Sequence, residues 1–388
     1  MKDLLKNLAY HMVDIYKCCL FKRYHAKELK NYLRATGIKL KHQEQETNFL
    51  KNWSSLMPYG KINLGLYRFY AHYLGDDPRI ITDDVFHITV EPCLNNQGAI
   101  SVYGDKNMFE RILPQKYFPD CVLRNMEYDY MDCDYNIIQM DNAEFGKRIL
   151  QNENLCRKKK IILKPATDTG GGLGVRLFSY NGNIWVSNDG ATLTLDFLEK
   201  KYKRNFIIQE ALEPCTFVKQ FNPSSYSTFR IFTYRSVITD EPHFIGGYLR
   251  VGAKGSFKDN IWGGGYAIPI NSDGTLATYA SDAQRKRYDC VNGISLKDKI
   301  LEIPNWNKII GLCYDIAMKV IPNRLLSFDI MLDADEEPRC IEFNTKNQTV
   351  TTIQTTSKPF FDDYTEEVIN YCMNHKGKRV YPITIEKK

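Results

Sequence analysis

The chain has 388 residues, a length that predicts two or three structural units rather than one packed core. Hydrophobic residues make up 43% and charged residues 25%, which excludes a disordered chain, a collagen-like fibre and a pure coiled coil. The net charge is +6, and residues 1–51 hold eleven Lys/Arg against five Asp/Glu. Because this one segment carries the whole excess, far from the motifs described below, we expect no nucleic-acid partner.

The sequence predicts a cytoplasmic protein, peripheral at most to the inner face of a membrane. No apolar run reaches the roughly 18 residues that cross a bilayer. The N-terminus lacks the basic stretch, apolar block and cleavage site of a signal peptide. The 11 cysteines include no CxxC pair, which favours reduced, buried thiols over a cysteine-ligated zinc site or a disulfide framework.

Residues 1–35 predict one amphipathic helix. Its apolar residues recur mostly at three- and four-residue steps, with Lys and Arg between them; they are Leu5, Leu8, Met12, Ile15, Cys19 and Leu20. We favour a helix that packs on its own domain, and the alternative is a basic helix that lies on an anionic membrane surface or a partner. A second helical stretch is predicted over residues 45–75, ended by Gly75-Asp76-Asp77-Pro78.

From about residue 100, strand-like segments alternate with turn signals and a few helices. The first clear strand is Ile161–Pro165, and further strands are predicted at 207–210, 229–232, 244–245, 325–332 and 340–343. Helices are predicted over 192–203, 305–320 and 360–374. Hairpins in place of a regular βαβ alternation indicate an α+β fold.

A glycine-rich loop follows the strand that ends in Lys164-Pro165. Its glycines are Gly170, Gly171, Gly172 and Gly174. Glycines let backbone N–H groups approach a polyphosphate, and the lysine adds a positive charge. The loop is neither a Walker loop, because no GK[ST] follows, nor a dinucleotide fingerprint, because a strand follows instead of a helix. Taken alone, a β-hairpin with a glycine tip is an equally good interpretation.

A second motif places oxygen ligands on a predicted hairpin. Asp329 lies on one strand, while Glu342 and Asn344, two residues apart, share a face of the other. Two carboxylates and one amide oxygen are what Mg²⁺ accepts when phosphates complete its shell. The alternation predicts a buried opposite face made of Phe328, Ile330, Ile341 and Phe343. The alternative is three polar residues on an exposed edge hairpin.

A third motif is an apolar strand that runs into polar residues at Gln209-Glu210-Ala211-Leu212-Glu213. Backbone groups there could read an adenine edge, with Glu213 near a ribose. By itself, this segment is interpreted by default as a plain strand end.

The three motifs in this order resemble the ATP-grasp superfamily over about residues 100–375. More narrowly, the chain is similar to the sugar-transfer-associated ATP-grasp family, which occurs in polysaccharide gene neighbourhoods. The strings that carry this narrower resemblance are 104–107, 222–231, 249–252, 259–260 and 263–265. The resemblance implies two α+β subdomains that clasp ATP, with an N-terminal, mainly helical extension. The implied division is an accessory region 1–99, a pre-ATP-grasp region 100–160, a small subdomain 161–215 with the glycine-rich loop, and a large subdomain 216–388 with the metal site.

The resemblance also implies roles for particular residues. Lys106 and Lys164 would bind ATP phosphates, and Gly170, Gly171, Gly172 and Gly174 would form a mobile lid. Gln209, Glu210, Leu212 and Glu213 would hold the adenosine, and Asp329, Glu342 and Asn344 would hold Mg²⁺. Many ligases of the superfamily carry an arginine two residues before the metal-binding aspartate, where this chain has Ser327. Arg230 or Arg250 would then stabilise the transition-state charge; the alternative for Arg230 is a structural salt bridge.

The expected activity is an ATP- and Mg²⁺-dependent carboxylate–amine ligase that acts through an acylphosphate. The expected partners are a small-molecule or sugar-linked acceptor and an amine donor, in the synthesis of a cell-surface polysaccharide such as a capsule. Two alternatives stay open: a kinase that phosphorylates a sugar or small molecule, and a nucleotide-binding module without turnover.

Overall fold

A computed structural model of the chain describes residues 2–167 and 171–375. The α-helices within this part are α1 (Lys2–Thr36), α2 (Glu46–Trp53), α3 (Leu64–Leu74), α4 (Asp83–Val85), α5 (Glu91–Leu94), α6 (Ile100–Tyr103), α7 (Phe109–Ile112), α8 (Asn142–Phe145), α9 (Glu153–Lys158), α10 (Leu195–Phe197), α11 (Thr216–Lys219), α12 (Trp306–Lys319), α13 (Val350–Thr356) and α14 (Thr365–Asn374). Segments with π-helical bonding follow α4, α8 and α10 directly; they are Phe86–Val90, Gly146–Leu150 and Leu198–Tyr202.

The strands form two large antiparallel sheets and one small hairpin. The strands are β1 (Cys121–Met126), β2 (Asp129–Met131), β3 (Ile137–Ile138), β4 (Lys160–Pro165), β5 (Arg176–Tyr180), β6 (Trp185–Ser187), β7 (Phe206–Glu210), β8 (Thr228–Arg235), β9 (Pro242–Val251), β10 (Tyr266–Pro269), β11 (Ala280–Ser281), β12 (Arg287–Tyr288), β13 (Cys290–Val291), β14 (Ile294–Ser295), β15 (Leu325–Leu332) and β16 (Pro338–Asn344). The first sheet has the order β3-β2-β1-β7-β4-β5-β6, the second β12-β11-β10-β9-β8-β15-β16, and β13 pairs with β14. Antiparallel sheets mixed with helices confirm the α+β class.

Side-chain alternation along the second sheet explains how it is covered. On β8, Phe229 and Ile231 belong to a core that includes Ile309 and Ile316 of α12. Phe232 and Tyr234, of the opposite parity, point to the other face and share a core with the N-terminal helices. Arg230 has this second parity but lies near the other end of β8. The second face therefore carries the N-terminal helices at one end and Arg230 at the other.

The N-terminal region is helical, as predicted, but the stretch expected over 45–75 is divided. Helices α2 and α3 are separated because Pro58 lacks an N–H group and Gly60 adopts a φ of 73°. The first sheet has a separate core that includes Leu123, Leu163 and Ile208. Strands β1–β3 of this sheet were not predicted from the sequence, in which the first indicated strand was Ile161–Pro165. The division into four segments stays a prediction.

Helix α1 divides into a packed half and an exposed half. Cys18, Phe21, Leu29 and Tyr32 are buried against the body, so this half packs as predicted but through a different face. Cys19 of the predicted apolar stripe is exposed, and Leu20 is half-buried. Further towards the N-terminus the apolar side chains are exposed; the exposed ones are Leu8, Met12, Ile15 and Tyr16. The side chain of Leu5 lies outside the described part. A membrane contact through this half stays a prediction. None of the described helices is both long and apolar enough to cross a bilayer.

Candidate functional site

A cleft lies between the two large sheets, and most of the residues singled out from the sequence line it. The first sheet and the segments joined to it contribute Lys106, Lys164, Pro165, Gly171, Gly172, Gln209, Glu210 and Leu212. The second sheet and its loops contribute Arg230, Arg250, Lys258, Asp259, Asn260, Asp329, Met331, Ile341 and Glu342.

The β15–β16 hairpin places two carboxylates side by side. Asp329 pairs with Glu342 in the register of the strands, and Ser327 pairs with Asn344. The register shifts next to Asp329, so that Ile330 pairs with Cys340 and Ile341 is the extra residue of a bulge. The sequence alternation had placed Ile341 on the buried face. That expectation is wrong, because the bulge turns Ile341 into the cleft and leaves Cys340 and Phe343 in the core.

The carboxylate of Asp329 is held by two arginines. Arg230 donates to both of its oxygens, from Nε to Oδ1 and from Nη2 to Oδ2 at 2.8 Å. Arg250 donates from Nη1 to Oδ2 at 2.9 Å. Burial alone would raise the pKa of Asp329, but the two guanidinium groups outweigh it and hold the pKa below its ordinary value. Asp329 is therefore ionised in an almost fully buried position.

Arg250 extends this ion-pair cluster to a second carboxylate. Its Nη2 lies 2.9 Å from Oδ1 of Asp259, whose Oδ2 accepts hydrogen bonds from the backbone N–H and the hydroxyl of Thr228. Burial raises the pKa of Asp259, although Arg250 opposes the shift. Arg230, Asp329, Arg250 and Asp259 thus form a chain of alternating charges along one wall of the cleft.

Two lysines face this wall. Lys164 of β4 donates from Nζ to the backbone oxygen of Ile341 at 3.2 Å, so it connects the first sheet to the bulge on the second. Lys106 lies 3.2 Å from Oε2 of Glu342. Burial and, after it, the positive charge of Lys106 together lower the pKa of Lys164 to about 8. The two ammonium groups therefore concentrate positive charge at this point of the cleft. Among the described residues, no carboxylate forms an ion pair with Lys164.

The expected adenosine-binding strand also reaches the cleft, with one exception. Gln209 donates to the backbone oxygen of Pro119 at 3.2 Å, and Glu210 pairs with Lys158. Leu212 adds an apolar lining. Glu213 lies outside the lining, and its carboxylate pairs with Lys219.

The glycine-rich loop contributes through Gly171 and Gly172. Gly174 has a φ of 73°, and a Cβ there would lie 2.8 Å from Cγ of Pro165, so this position requires glycine. Gly170 lies outside the described residues.

Sequence reasoning gave no role to the segment 258–260, which contacts this loop. Nζ of Lys258 donates to the backbone oxygen of Gly172 at 2.8 Å, and Nδ2 of Asn260 donates to that of Gly171 at 3.3 Å. The available signal was the string Lys258-Asp259-Asn260 followed by Gly263-Gly264-Gly265. A charged and amide-bearing turn beside glycines is common, and only the fold brings it to the first sheet's loop.

The cleft fits the two groups that the resemblance implies, ATP and Mg²⁺. Lys106 lies close enough to Lys164 that the repulsion between their positive charges lowers the pKa of Lys164. A bound polyphosphate would relieve that repulsion. Glu342 is partly exposed and lines the cleft, whereas Asn344 is not among the lining residues. The buried Nδ2 of Asn344 has no hydrogen-bond partner. Turning that amide by 180° presents an oxygen instead, which suits a hard cation. Asp329 is committed to the arginines, so it would have to exchange one of them for the ion.

Two sheets that enclose a lysine- and glycine-lined cleft, with a carboxylate hairpin at its base, are the arrangement of an ATP-grasp protein. The family described as sugar-transfer associated ATP-grasp matches residues 86–367, which are 282 of the 388 residues, and the chain belongs to that family. A comparison with curated proteins gave no match.

Several solved structures are similar to the chain. The ATP-grasp ligase PsnB complexed with minimal precursor has 13% sequence identity and a TM-score of 0.39, over 72% of this chain and 63% of PsnB. The N5-carboxyaminoimidazole ribonucleotide synthetase from Thermotoga maritima has 10% identity and a TM-score of 0.37, over 70% of this chain and 51% of that one. The L-amino acid ligase from Bacillus licheniformis has 13% identity and a TM-score of 0.30, over 64% and 41%. The chain thus spans less than two thirds of the length of each of these proteins.

Proposed function

We propose that the protein is an ATP-dependent ligase that joins a carboxylate to an amine through an acylphosphate. The observation that carries this proposal is the pair of half-buried arginines on Asp329, which line the same cleft as Lys106 and Lys164. Such a site offers cationic groups to two anions at once. The lysines suit a polyphosphate. Both arginines are paired with Asp329 in the free protein, and we expect the one that Asp329 exchanges for Mg²⁺ to bind the acceptor carboxylate with two parallel hydrogen bonds.

The chemistry follows from that division of charge. The acceptor carboxylate attacks the γ-phosphorus of ATP, ADP leaves, and the amine then displaces inorganic phosphate from the acylphosphate to form the amide. Lys164 and Lys106 would hold the phosphate oxygens, and Arg250 or Arg230 would stabilise the charge that develops during transfer. Glu342 and Asn344, with Asp329, would hold Mg²⁺, which neutralises phosphate charge when it is bound.

The family description supports a sugar-linked acceptor, and we propose that the ligase acts on a sugar acid or a precursor of a cell-surface polysaccharide. An acceptor of this kind carries the carboxylate that the arginines would bind. The amine donor is the second substrate, and its attack requires that water be excluded, because water hydrolyses an acylphosphate. We propose that the glycine-rich loop covers the reacting groups, and its hydrogen bonds with Lys258 and Asn260 on the other side of the cleft support this role.

Product analysis tests the proposal. The full-length protein is incubated with Mg²⁺, ATP and pools of sugar acids and amines, while ADP, inorganic phosphate and free amine are measured. A ligase releases ADP and phosphate in equal amounts and consumes one amine for each. ADP without inorganic phosphate indicates a kinase, and no ADP under any condition indicates a binding module; either result contradicts the proposal. Glu342→Gln serves as the inactive control.

A further inference from the structure

A second group of metal-binding side chains lies outside the cleft, where α1 packs beside α4. The group consists of His25 from α1 with Asp83 and His87 from the helical stretch that begins at Asp83. Each offers one ligand atom, and the three atoms lie within 4.8 Å of one another. Asp83 and His87 are four residues apart on a helical stretch, so both point towards α1.

No hydrogen bond holds the imidazole of His25 in its place. Its Nε2 is buried and has no hydrogen-bond partner. Its Nδ1 lies 3.8 Å from Oδ1 of Asp83, which is too far for a hydrogen bond. Two ligands of a tetrahedral zinc ion are about 3.4 Å apart, given bonds of about 2.0–2.1 Å. The separation of His25 and Asp83 is therefore closer to that of two ligands sharing an ion than to that of a hydrogen-bonded pair.

His87 is oriented in the way that metal-binding histidines usually are. Its Nδ1 lies 2.9 Å from Oε2 of Glu91, and the other oxygen of Glu91 accepts the backbone N–H of Gln348 at 2.8 Å. A carboxylate behind a histidine fixes the ring and leaves the lone pair of Nε2 free. Asp83 is held in turn by the hydroxyls of Tyr70 and Thr351.

The charge balance of this region also calls for a cation. Asp83, Asp84 and Glu91 are 3%, 1% and 4% exposed. Within residues 2–167 and 171–375, no lysine or arginine forms an ion pair with any of the three. Asp83 and Glu91 have only histidines within ion-pairing distance, and a histidine is charged only when it is protonated. Buried carboxylates are stable when they are paired or when they coordinate a metal ion. A divalent ion would supply the missing positive charge.

We propose that His25, Asp83 and His87 bind one divalent transition-metal ion of the zinc type, which fastens α1 to the body of the protein. Imidazole ligands favour zinc and similar ions over Mg²⁺ and Ca²⁺, so this site differs in chemistry from the oxygen-lined cleft. A water molecule completes a tetrahedral shell around three protein ligands. The ion holds the packed half of α1 in place, next to Cys18 and Phe21.

Zinc binding by the full-length protein tests the proposal. The metal-stripped protein is titrated with ZnCl₂ in the presence of excess Mg²⁺ and ATP, which occupy the cleft. We expect one zinc ion per chain and a rise in melting temperature. His25→Gln and His87→Gln should each weaken binding at least tenfold, whereas His72→Gln, an exposed histidine on α3, should bind zinc as the wild type does.

Cobalt binding can be measured on the wild type alone, so this test does not depend on whether a variant folds. Co²⁺ bound to two histidines and a carboxylate gives the visible absorption of a tetrahedral site without a thiolate charge-transfer band, and zinc should displace it. A thiolate charge-transfer band would show that a cysteine binds the metal, which would overturn the proposal. So would a wild type that binds no zinc, or folded variants at His25 and His87 whose affinity equals that of the wild type.

Discussion

Asp329 and Glu342 face each other on one hairpin, but their surroundings give them different roles. Asp329 is buried and paired with Arg230 and Arg250, whereas Glu342 is partly exposed and pairs only with Lys106 among the described residues. Removing a carboxylate from a buried ion-pair cluster leaves uncompensated charge, while removing a partly exposed one does not. The first residue therefore stabilises the fold as well as the site, and the second mainly serves the site.

A matched pair of variants separates these roles. We expect Asp329→Asn to lower the free energy of unfolding by about 3–5 kcal/mol, because Arg230 loses its charged partner and Arg250 keeps only Asp259. Glu342→Gln should change the free energy of unfolding by less than about 1 kcal/mol and still abolish Mg²⁺-dependent ATP turnover. Urea unfolding and an ADP-release assay measure the two effects. Equal losses of stability, or undiminished turnover in Glu342→Gln, would contradict the assignment.

The lowered pKa of Lys164 predicts a pH dependence of nucleotide binding. Lys164 has a pKa of about 8 in the free protein, so its ammonium is charged below pH 8 and neutral above it. Only the charged form attracts phosphate, and we therefore expect ATP affinity to fall by up to about tenfold per pH unit above pH 8. Calorimetry between pH 7 and 9.5 measures this.

Two substitutions at this position serve as controls for the pH dependence. Lys164→Arg keeps its charge at every pH in that range and should bind ATP with a nearly constant affinity. Lys164→Met keeps most of the apolar stem and should bind weakly throughout. An unchanged affinity in Lys164→Met would assign the lysine a structural role.

Local patterns and the family resemblance together identified eleven residues of the cleft but not how they pair. Asp329, Glu342 and Asn344 follow from alternation within one hairpin, which spans few residues. The contact between Arg230 and Asp329 depends on the pairing of β8 with β15, strands 99 residues apart at this point, and no local pattern encodes it. The same limit explains Ile341, because alternation assumes an unbroken ladder and a bulge interrupts it.

At the scale of elements, the glycine-rich loop and the segment 258–260 form one unit across the cleft. Lys258 and Asn260 bind the backbone oxygens of Gly172 and Gly171, so they do not compete with phosphate oxygens for the loop's N–H groups. The family resemblance had implied that the loop forms a mobile lid. Because Lys258 lies in the loop that follows β9, we propose that any closure of this lid involves both sheets.

Hydrogen exchange over residues 171–174 tests this coupling. We expect fast exchange in the free protein and marked slowing with Mg²⁺ and a non-hydrolysable ATP analogue. In Lys258→Met the slowing should be smaller, since one contact that holds the closed loop is lost. The matched control is Lys254→Met, which changes an exposed lysine in the same loop between β9 and β10 and should behave as the wild type does. Equal protection with and without nucleotide would mean that the loop does not close.

At the scale of the whole molecule, the N-terminal helices are part of the large sheet's core. Phe49, Trp53 and Tyr70 share a hydrophobic cluster with Phe232 of β8 and with Phe360. The sequence predicted these helices and the α+β class from periodicity, but not this packing, because it joins segments more than 150 residues apart. The sequence also missed β1, which is buried at four of its six positions and so shows little alternation, and β2 and β3, which are short and partly exposed.

Deletion variants test whether the N-terminal region is separable. The family match begins at residue 86, so deletion of residues 1–85 removes what lies before it. We expect that variant to aggregate, because it exposes the apolar face of the second sheet. Deletion of residues 1–15, whose described apolar side chains are already exposed, should leave the melting temperature nearly unchanged. A soluble, cooperatively unfolding protein that lacks residues 1–85 would show that the region is an independent unit.

The shared core has a consequence for biosynthesis. The ring of Phe86 packs 5.2 Å from that of Phe360, and the backbone of Ile81 is held by the side chain of Gln354. Ribosomes add about 5–20 residues per second, so residues near 86 wait roughly 15–55 s before the residues near 360 that complete their packing are made. The first sheet, whose core lies between Leu123 and Ile208, has all its strands much earlier. During that interval the nascent chain exposes the aromatic side chains of its N-terminal helices, and its yield should depend on chaperones that bind such surfaces while translation continues.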